Sequence, residues 1–199
     1  MDQVPILLLA AGASKRMGQP KQLLPWGDTT LLRHAVRHAQ QVSTMVYVVL
    51  GAAHEVLRDH LSDTGAISCY NAAYESGLGS SIACGLRTIL DDDPTTPAVL
   101  VLLADQPEVD AAYLRRILAA HRLAETAIVA TAYPQRAGVP ALFPKDDFPA
   151  LLELAGDAGA GSYLKNNRDR VHLVYPTTPL YDLDTPEEYR RHEGDQEHH

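Results

Sequence analysis

Three cations stand close together near the start of the chain. Lys15, Arg16 and Lys21 lie in Leu9-Ala10-Ala11-Gly12-Ala13-Ser14-Lys15-Arg16-Met17-Gly18-Gln19-Pro20-Lys21, and no acidic residue occurs between Asp2 and Asp28. Small residues at the start of this stretch let backbone N–H groups approach a ligand closely, as phosphate-binding loops require. Cations without a local counter-charge, in a chain of net charge −8, form a trap for polyphosphate. A solvated surface loop is the other reading of the same composition. Neither familiar phosphate loop is present: five residues separate Gly12 from Gly18, Gln19 follows, and no G-x-G-x-x-G occurs.

Carboxylates supply the second set of candidates. Asp105 follows the apolar run 99–104, so it projects from the carboxyl end of an expected strand. An oxygen ligand at that place suits Mg²⁺ shared with substrate phosphates, although a turn-forming Asp ahead of Pro107 has the same sequence appearance. Asp182 and Asp184 alternate along an extended segment and so should face opposite ways, one towards a metal and the other capping the helix that begins at Pro186. Ser80 and Ser81 fall at an expected helix start, where hydroxyls and free N–H groups either cap the helix or contact a nucleotide.

The elements that must carry these residues alternate along the chain. Apolar runs of strand length cover 4–11, 45–50, 66–70, 98–104, 126–132, 138–143 and 171–175. Helical spacing covers 31–42, 54–61, 80–90 and 111–123, with further helical stretches between 143 and 171. Thr185-Pro186-Glu187-Glu188 is a capping box with proline at the first helical position. The pattern predicts an α/β fold with a mostly parallel central sheet between helical layers. Ligands of such sheets bind beyond the carboxyl ends of the strands, which selects the 12–21 loop and Asp105. One domain over residues 1–193 is expected, with 194–199 a frayed tail or the remnant of a tag.

Composition removes several classes of function. The 199 residues are 46% hydrophobic and 21% charged, ordinary globular values. No apolar run nears the ~20 residues of a membrane helix, and Met1-Asp2-Gln3 lacks the basic flank of a secretory signal, so a soluble cytoplasmic protein with no membrane partner is expected. Net acidity argues against nucleic acid as a partner. Cys69 and Cys84 form no CxxC pair and read as small buried apolar residues. His34 and His38, beside Arg33 and Arg37, read as a solvated helix face, and Trp26 as local packing or a platform for a pterin or base.

The block Leu-Ala-Ala-Gly-x3-Arg-Met-Gly-x-Pro-Lys resembles the signature of the molybdenum cofactor nucleotidyltransferases, particularly the cytidylyltransferase branch. The resemblance continues, in the family's order, through Gly77-Leu78-Gly79-Ser80-Ser81, Leu103-Ala104-Asp105-Gln106-Pro107, Gly138-Val139-Pro140, Gly156-Asp157-x-Gly159-Ala160 and Asp182-Leu183-Asp184-Thr185-Pro186-Glu187. It implies a three-layer, Rossmann-like nucleotidyltransferase fold and Mg²⁺-dependent transfer of CMP from CTP to the terminal phosphate of molybdenum cofactor, with release of pyrophosphate. Under it Arg16, Lys21 and Asp105 are catalytic, with Lys15 assisting from the rim. Leu9, Ala10, Ala11, Gly12, Ser80 and Ser81 join Lys15, Arg16 and Lys21 in binding the nucleotide. Asp105, Asp182 and Asp184 form the metal side, and Gly138, Pro140, Gly156 and Asp157 the acceptor side. Gly161 stands where the family often has a basic residue for the acceptor. Ala10-Ala11-Gly12 and Gln19-Pro20-Lys21 look cytidylyl, since the guanylyl branch typically reads Leu-Ala-Gly-Gly and places Asp before the Lys. A molybdenum hydroxylase is the partner the resemblance suggests. Transfer from GTP, transfer to a sugar or polyol phosphate, and a non-catalytic cofactor carrier are the other readings of these residues.

Overall fold

The computed structural model describes residues 4–156 and 159–196, the last four by backbone alone. The first strand, β1 (Ile6–Ala10), sits inside a seven-stranded sheet, and its side chains alternate between two cores. Ile6, Leu8 and Ala10 enter one core; Leu7 and Leu9 enter the other. A strand buried on both faces has no polar side, which is why its sequence is a continuous apolar run.

The next elements are a short hairpin, β2 (Pro25–Trp26) with β3 (Thr29–Thr30), then α1 (Leu31–Gln40), β4 (Val46–Leu50), α2 (His54–Leu61), β5 (Ile67–Tyr70) and α3 (Leu78–Asp92). They are followed by β6 (Ala98–Leu103), α4 (Ala111–Leu123), β7 (Ile128–Tyr133), β8 (Arg136–Pro144), α5 (Phe148–Leu152), α6 (Ala160–Asn166), β9 (Val171–Val174) and α7 (Pro186–Gln196). The sheet order is β5-β4-β1-β6-β8-β7-β9. Helices α1, α2 and α4 cover one face through Leu32, Val36, Leu57, Leu114 and Ile117, and α3, α5 and α6 cover the other through Ile82, Leu86, Phe148, Leu151 and Leu164. This is the expected α/β architecture with a mostly parallel central sheet.

Two features depart from the alternating pattern. β8 runs antiparallel to both β6 and β7. Only Pro134 and Gln135 separate β7 from β8, and a parallel crossover needs a dozen or more residues. The β2–β3 hairpin was not legible as strand, because two residues per strand carry no period. It buries Trp26 with Met17, Leu24, Leu31, Leu183 and Tyr189 in a third cluster, so Trp26 packs locally and is closed to a ligand. The α1 face of His34 and His38 is not solvated either. His34 Nε2 donates to Pro107 O at 3.0 Å, and His38 Nδ1 accepts the Ala111 N–H at 3.2 Å, so this face is packed against the start of α4.

The capping box forms as read: Glu188 Oε2 accepts the N–H of Thr185 at 2.9 Å, and Thr185 Oγ1 accepts the N–H of Glu188 at 3.3 Å. Helix α7 runs to Gln196, and 197–199 lie outside the described residues. No helix among the described residues is long and apolar enough to cross a membrane.

Close packing of α3 on the sheet depends on Gly85. A Cβ there would stand 2.2 Å from Leu7 Cδ1 and 2.7 Å from Val49 Cγ2. Gly85→Val should therefore lower stability by about 1–3 kcal/mol through overpacking, read as a fall in the thermal unfolding midpoint.

Candidate active site

The chain passes from β1 to β4 and β5 on one side of the sheet, then returns to β6 on the other side of β1. That reversal opens a crevice at the strands' carboxyl ends. A pocket of about 250 Å³ occupies it, lined by Leu9–Gly12 after β1, by Lys21 and Gln22, by Gly77, Leu78 and Ser81 at the start of α3, and by Leu103–Asp105 at the end of β6.

Lys21 is the centre of the site's charges. Its Nζ donates to Asp105 Oδ2 and, at 2.8 Å, to Asp184 Oδ1. Arg16 Nη2 donates to Asp184 Oδ2 at 2.7 Å from a largely exposed position. Burial is the strongest influence on Lys21 and would lower its pKa, but the charges and hydrogen bonds of Asp105 and Asp184 outweigh it and raise it. Burial pushes the Asp105 carboxyl up; Lys21 opposes that, while Asp182 and Asp184 reinforce it. For Asp184, burial again acts upward, but Lys21 and Arg16 hold the group below the ordinary carboxylate range.

Asp105 Oδ1 is buried and has no hydrogen-bond partner. A buried, unpartnered carboxylate oxygen costs free energy unless a cation or donor meets it, and it is a suitable ligand for a hard divalent ion. The donor set of Asp105 and Asp184 therefore fits Mg²⁺. Among the described residues, however, no three His, Cys, Asp or Glu side chains come together as a metal cluster. Asp182 is elsewhere engaged: its Oδ1 accepts from Gln106 Nε2 at 2.8 Å, and the same amide donates to Tyr133 Oη at 2.9 Å. The buried Leu183 lies between the two aspartates, and its N–H donates to Asp105 O at 3.0 Å. Neither aspartate side chain caps α7, which Thr185 and Glu188 do instead.

Other residues singled out from the sequence are placed unevenly. Lys15 is exposed and outside the pocket lining. Helix α3 begins at Leu78 with Gly77 as its N-cap, at φ +108°, so Ser80 and Ser81 sit in the first turn and neither caps the helix. Asn71 Nδ2 donates to both hydroxyls, at 2.9 Å and 3.0 Å, and only Ser81 lines the pocket.

Gly138 and Pro140 are buried within β8 and are not among the residues lining either cavity. Gly138 lies against the Tyr133 ring, where a Cβ would stand 2.9 Å from Cε2. The Pro140 carbonyl accepts from Thr131 Oγ1 at 2.8 Å. Gly156, at φ +64°, accepts the Gly79 N–H through its carbonyl at 3.3 Å and so tethers the α5–α6 connection to the pocket's edge. Asp157 lies outside the described residues.

A second cavity, about 1390 Å³, opens between the β7–β8 turn, α6, and β9 with the segment after it. Arg136, Lys165, Arg168, Tyr133 and Tyr175 line it without any carboxylate, and Leu78 borders both cavities. Sequence reading missed this cleft, because its walls come from four separate segments. It also missed Gly51, whose signal was its place just after β4. A Cβ on Gly51 would stand 2.4 Å from Ala11 O, so its lack of a side chain lets the β1 loop lie against β4.

Comparison with known proteins gives a consistent setting for this geometry. The sequence profile of the MobA-like NTP transferase domain matches residues 6–171. Nicotine blue oxidoreductase of Paenarthrobacter nicotinovorans is 31% identical over 176 residues, covering 84% of each chain. Molybdenum cofactor cytidylyltransferase of Escherichia coli is 29% identical over 90 residues, which is 45% of this chain and 47% of that one. Among solved structures, Rv0371c of Mycobacterium tuberculosis superposes with a TM-score of 0.83 at 30% identity, covering 96% of this chain and 98% of that chain.

Proposed function

This chain belongs to the MobA-like NTP transferase domain family, a family of nucleotidyltransferases, and on that premise we propose that it transfers CMP from CTP to the terminal phosphate of a molybdopterin-type acceptor. The observation that carries the reading is the meeting of Lys21 and the unpartnered Asp105 oxygen in one crevice at the strands' carboxyl ends, with Arg16 beside it on the Asp184 that Lys21 also holds. A terminal phosphate oxygen of the acceptor attacks the α-phosphorus. The bond from that phosphorus to the bridging oxygen of the β-phosphate breaks, and pyrophosphate leaves with the electron pair.

Protein nucleophiles are not needed, because positioning and charge neutralisation provide the acceleration. The triphosphate draws Lys21 and Arg16 from their carboxylate partners, and both cations neutralise charge moving towards the leaving pyrophosphate. Asp105 and Asp184 would hold Mg²⁺, which would supply Lewis-acid polarisation of a substrate phosphate. The backbone of Leu9–Gly12 forms the wall for the base. The larger cleft beside Leu78, cationic and without carboxylates in its lining, receives the acceptor. The cytosine preference is supported by Ala10-Ala11-Gly12 and by the cytidylyltransferase relative. A molybdenum hydroxylase is the proposed recipient of the product, and the cytoplasm its setting.

Calorimetry with CTP, GTP, ATP and UTP, with and without Mg²⁺, tests the reading on wild type and Asp105→Ala. Metal-dependent, CTP-selective binding that Asp105→Ala loses is the expected result. Preference for GTP moves the nucleotide to guanylyl, and no triphosphate binding at all leaves a cofactor carrier. Pyrophosphate release, which a redox reaction does not require, separates this activity from that of the oxidoreductase relative; release with a sugar or polyol phosphate alone would replace the acceptor.

A further inference from the structure

Gln22 is 3% exposed, and all its hydrogen-bonding groups are engaged. Its Nε2 donates to Ala10 O at 2.9 Å and to Gly12 O at 3.2 Å, while Oε1 accepts from Ser14 Oγ at 3.4 Å. The same Ser14 oxygen accepts the Lys21 N–H at 3.1 Å. These bonds close a circuit from the end of β1, through the loop, to the backbone of Lys21. Ser14 completes it from a left-handed conformation, φ +49°, which costs a non-glycine residue ~1–2 kcal/mol and persists only where its surroundings hold it.

We propose that Gln22 is a positioning residue for nucleotide binding. By holding Ala10 and Gly12 through their carbonyls and Lys21 through Ser14, it fixes the wall for the base and the root of the phosphate-binding cation relative to one another. The proposal deepens the nucleotidyltransferase reading and rests on it. An apolar side chain of the same size would fill the space but leave two carbonyl oxygens without their donor. A carboxylate would set negative charge against both of them. A residue that only filled the core would affect folding stability and leave the affinity of the folded protein alone.

A double-mutant cycle distinguishes these roles. Gln22→Met, Ser14→Ala and the double variant are compared by calorimetry with whichever of the four triphosphates wild type binds most tightly, in Mg²⁺, alongside unfolding midpoints. Gln22→Met should weaken binding about tenfold, Ser14→Ala about threefold, and the pair by clearly less than the product, because both cut one circuit. Ser14→Ala removes one half-buried hydroxyl, so it gives a folded variant even if Gln22→Met does not. Unchanged affinity in Ser14→Ala, or multiplicative losses in the cycle, overturns the proposal. If wild type binds no triphosphate, the reading of the pocket falls and this proposal with it; if wild type binds and the variants match it, only the role of Gln22 falls.

Discussion

Lys21→Met should lower the rate of pyrophosphate release by at least ~10²-fold with the fold intact, the scale of losing one preorganised charge at a developing anion. Its side chain is 13% exposed and its ammonium faces two carboxylates, and among the described residues no second cation lines the pocket to take its place. Arg16 reaches Asp184 from a side chain that is 69% exposed. Arg16→Ala should accordingly cost less than Lys21→Met. Asp105→Asn preserves shape and removes the charge, and should match Lys21→Met in rate while abolishing the Mg²⁺ dependence of nucleotide binding.

The same arrangement gives a pH dependence with a definite sign. A metal ligand must be ionised, and burial raises the Asp105 carboxyl above its ordinary value of about 3.9. As pH falls, Asp105 takes up a proton before an exposed carboxylate would, so Mg²⁺-dependent nucleotide affinity declines at a higher pH than solvated acids titrate. Titrations at several pH values in the acid range should show this decline in wild type. Affinity that holds until ordinary carboxylates titrate would remove Asp105 as a ligand.

Arg170→Met should destabilise the protein by about 2–3 kcal/mol, somewhat less than the ~3–5 kcal/mol for breaking a fully buried ion pair, because the arginine side chain is 44% exposed. Asp147 is 1% exposed, and its Oδ1 accepts from Arg170 Nη1 at 2.8 Å and Tyr163 Oη at 2.6 Å. Removing the guanidinium leaves that carboxylate with one phenol inside the fold. The unfolding midpoint should fall by roughly 4–12 °C for a chain of this size, and nucleotide affinity at moderate temperature should be unchanged. Asp147→Leu with Arg170→Met removes both charges and should recover part of the loss. A midpoint within a degree of wild type would show that the pair contributes nothing to the fold.

Sequence by itself determined the frame. β1 and β6 are legible because strands buried on both faces cannot carry polar positions, and α7 because its capping box is local. The types and spacing of Arg16, Lys21 and Asp105, together with the resemblance, singled those residues out; the fold sets Lys21 and Asp105 in the lining of one crevice and Arg16 on Asp184 beside it. Tertiary structure decided the partners. Arg16 meets Asp184 across 168 positions, and Asp182 is drawn to Gln106 across 76, distances over which no periodicity carries information. β8 closed as an antiparallel hairpin on β7, a geometry that two intervening residues impose but an α/β pattern conceals, and that hairpin sets Gly138 against the Tyr133 ring. Gln22 became a clasp for the β1 loop only once the loop folded back on it. A hydrogen bond is fixed by where two groups arrive in space, whereas a strand or a cap is fixed by the residues that compose it.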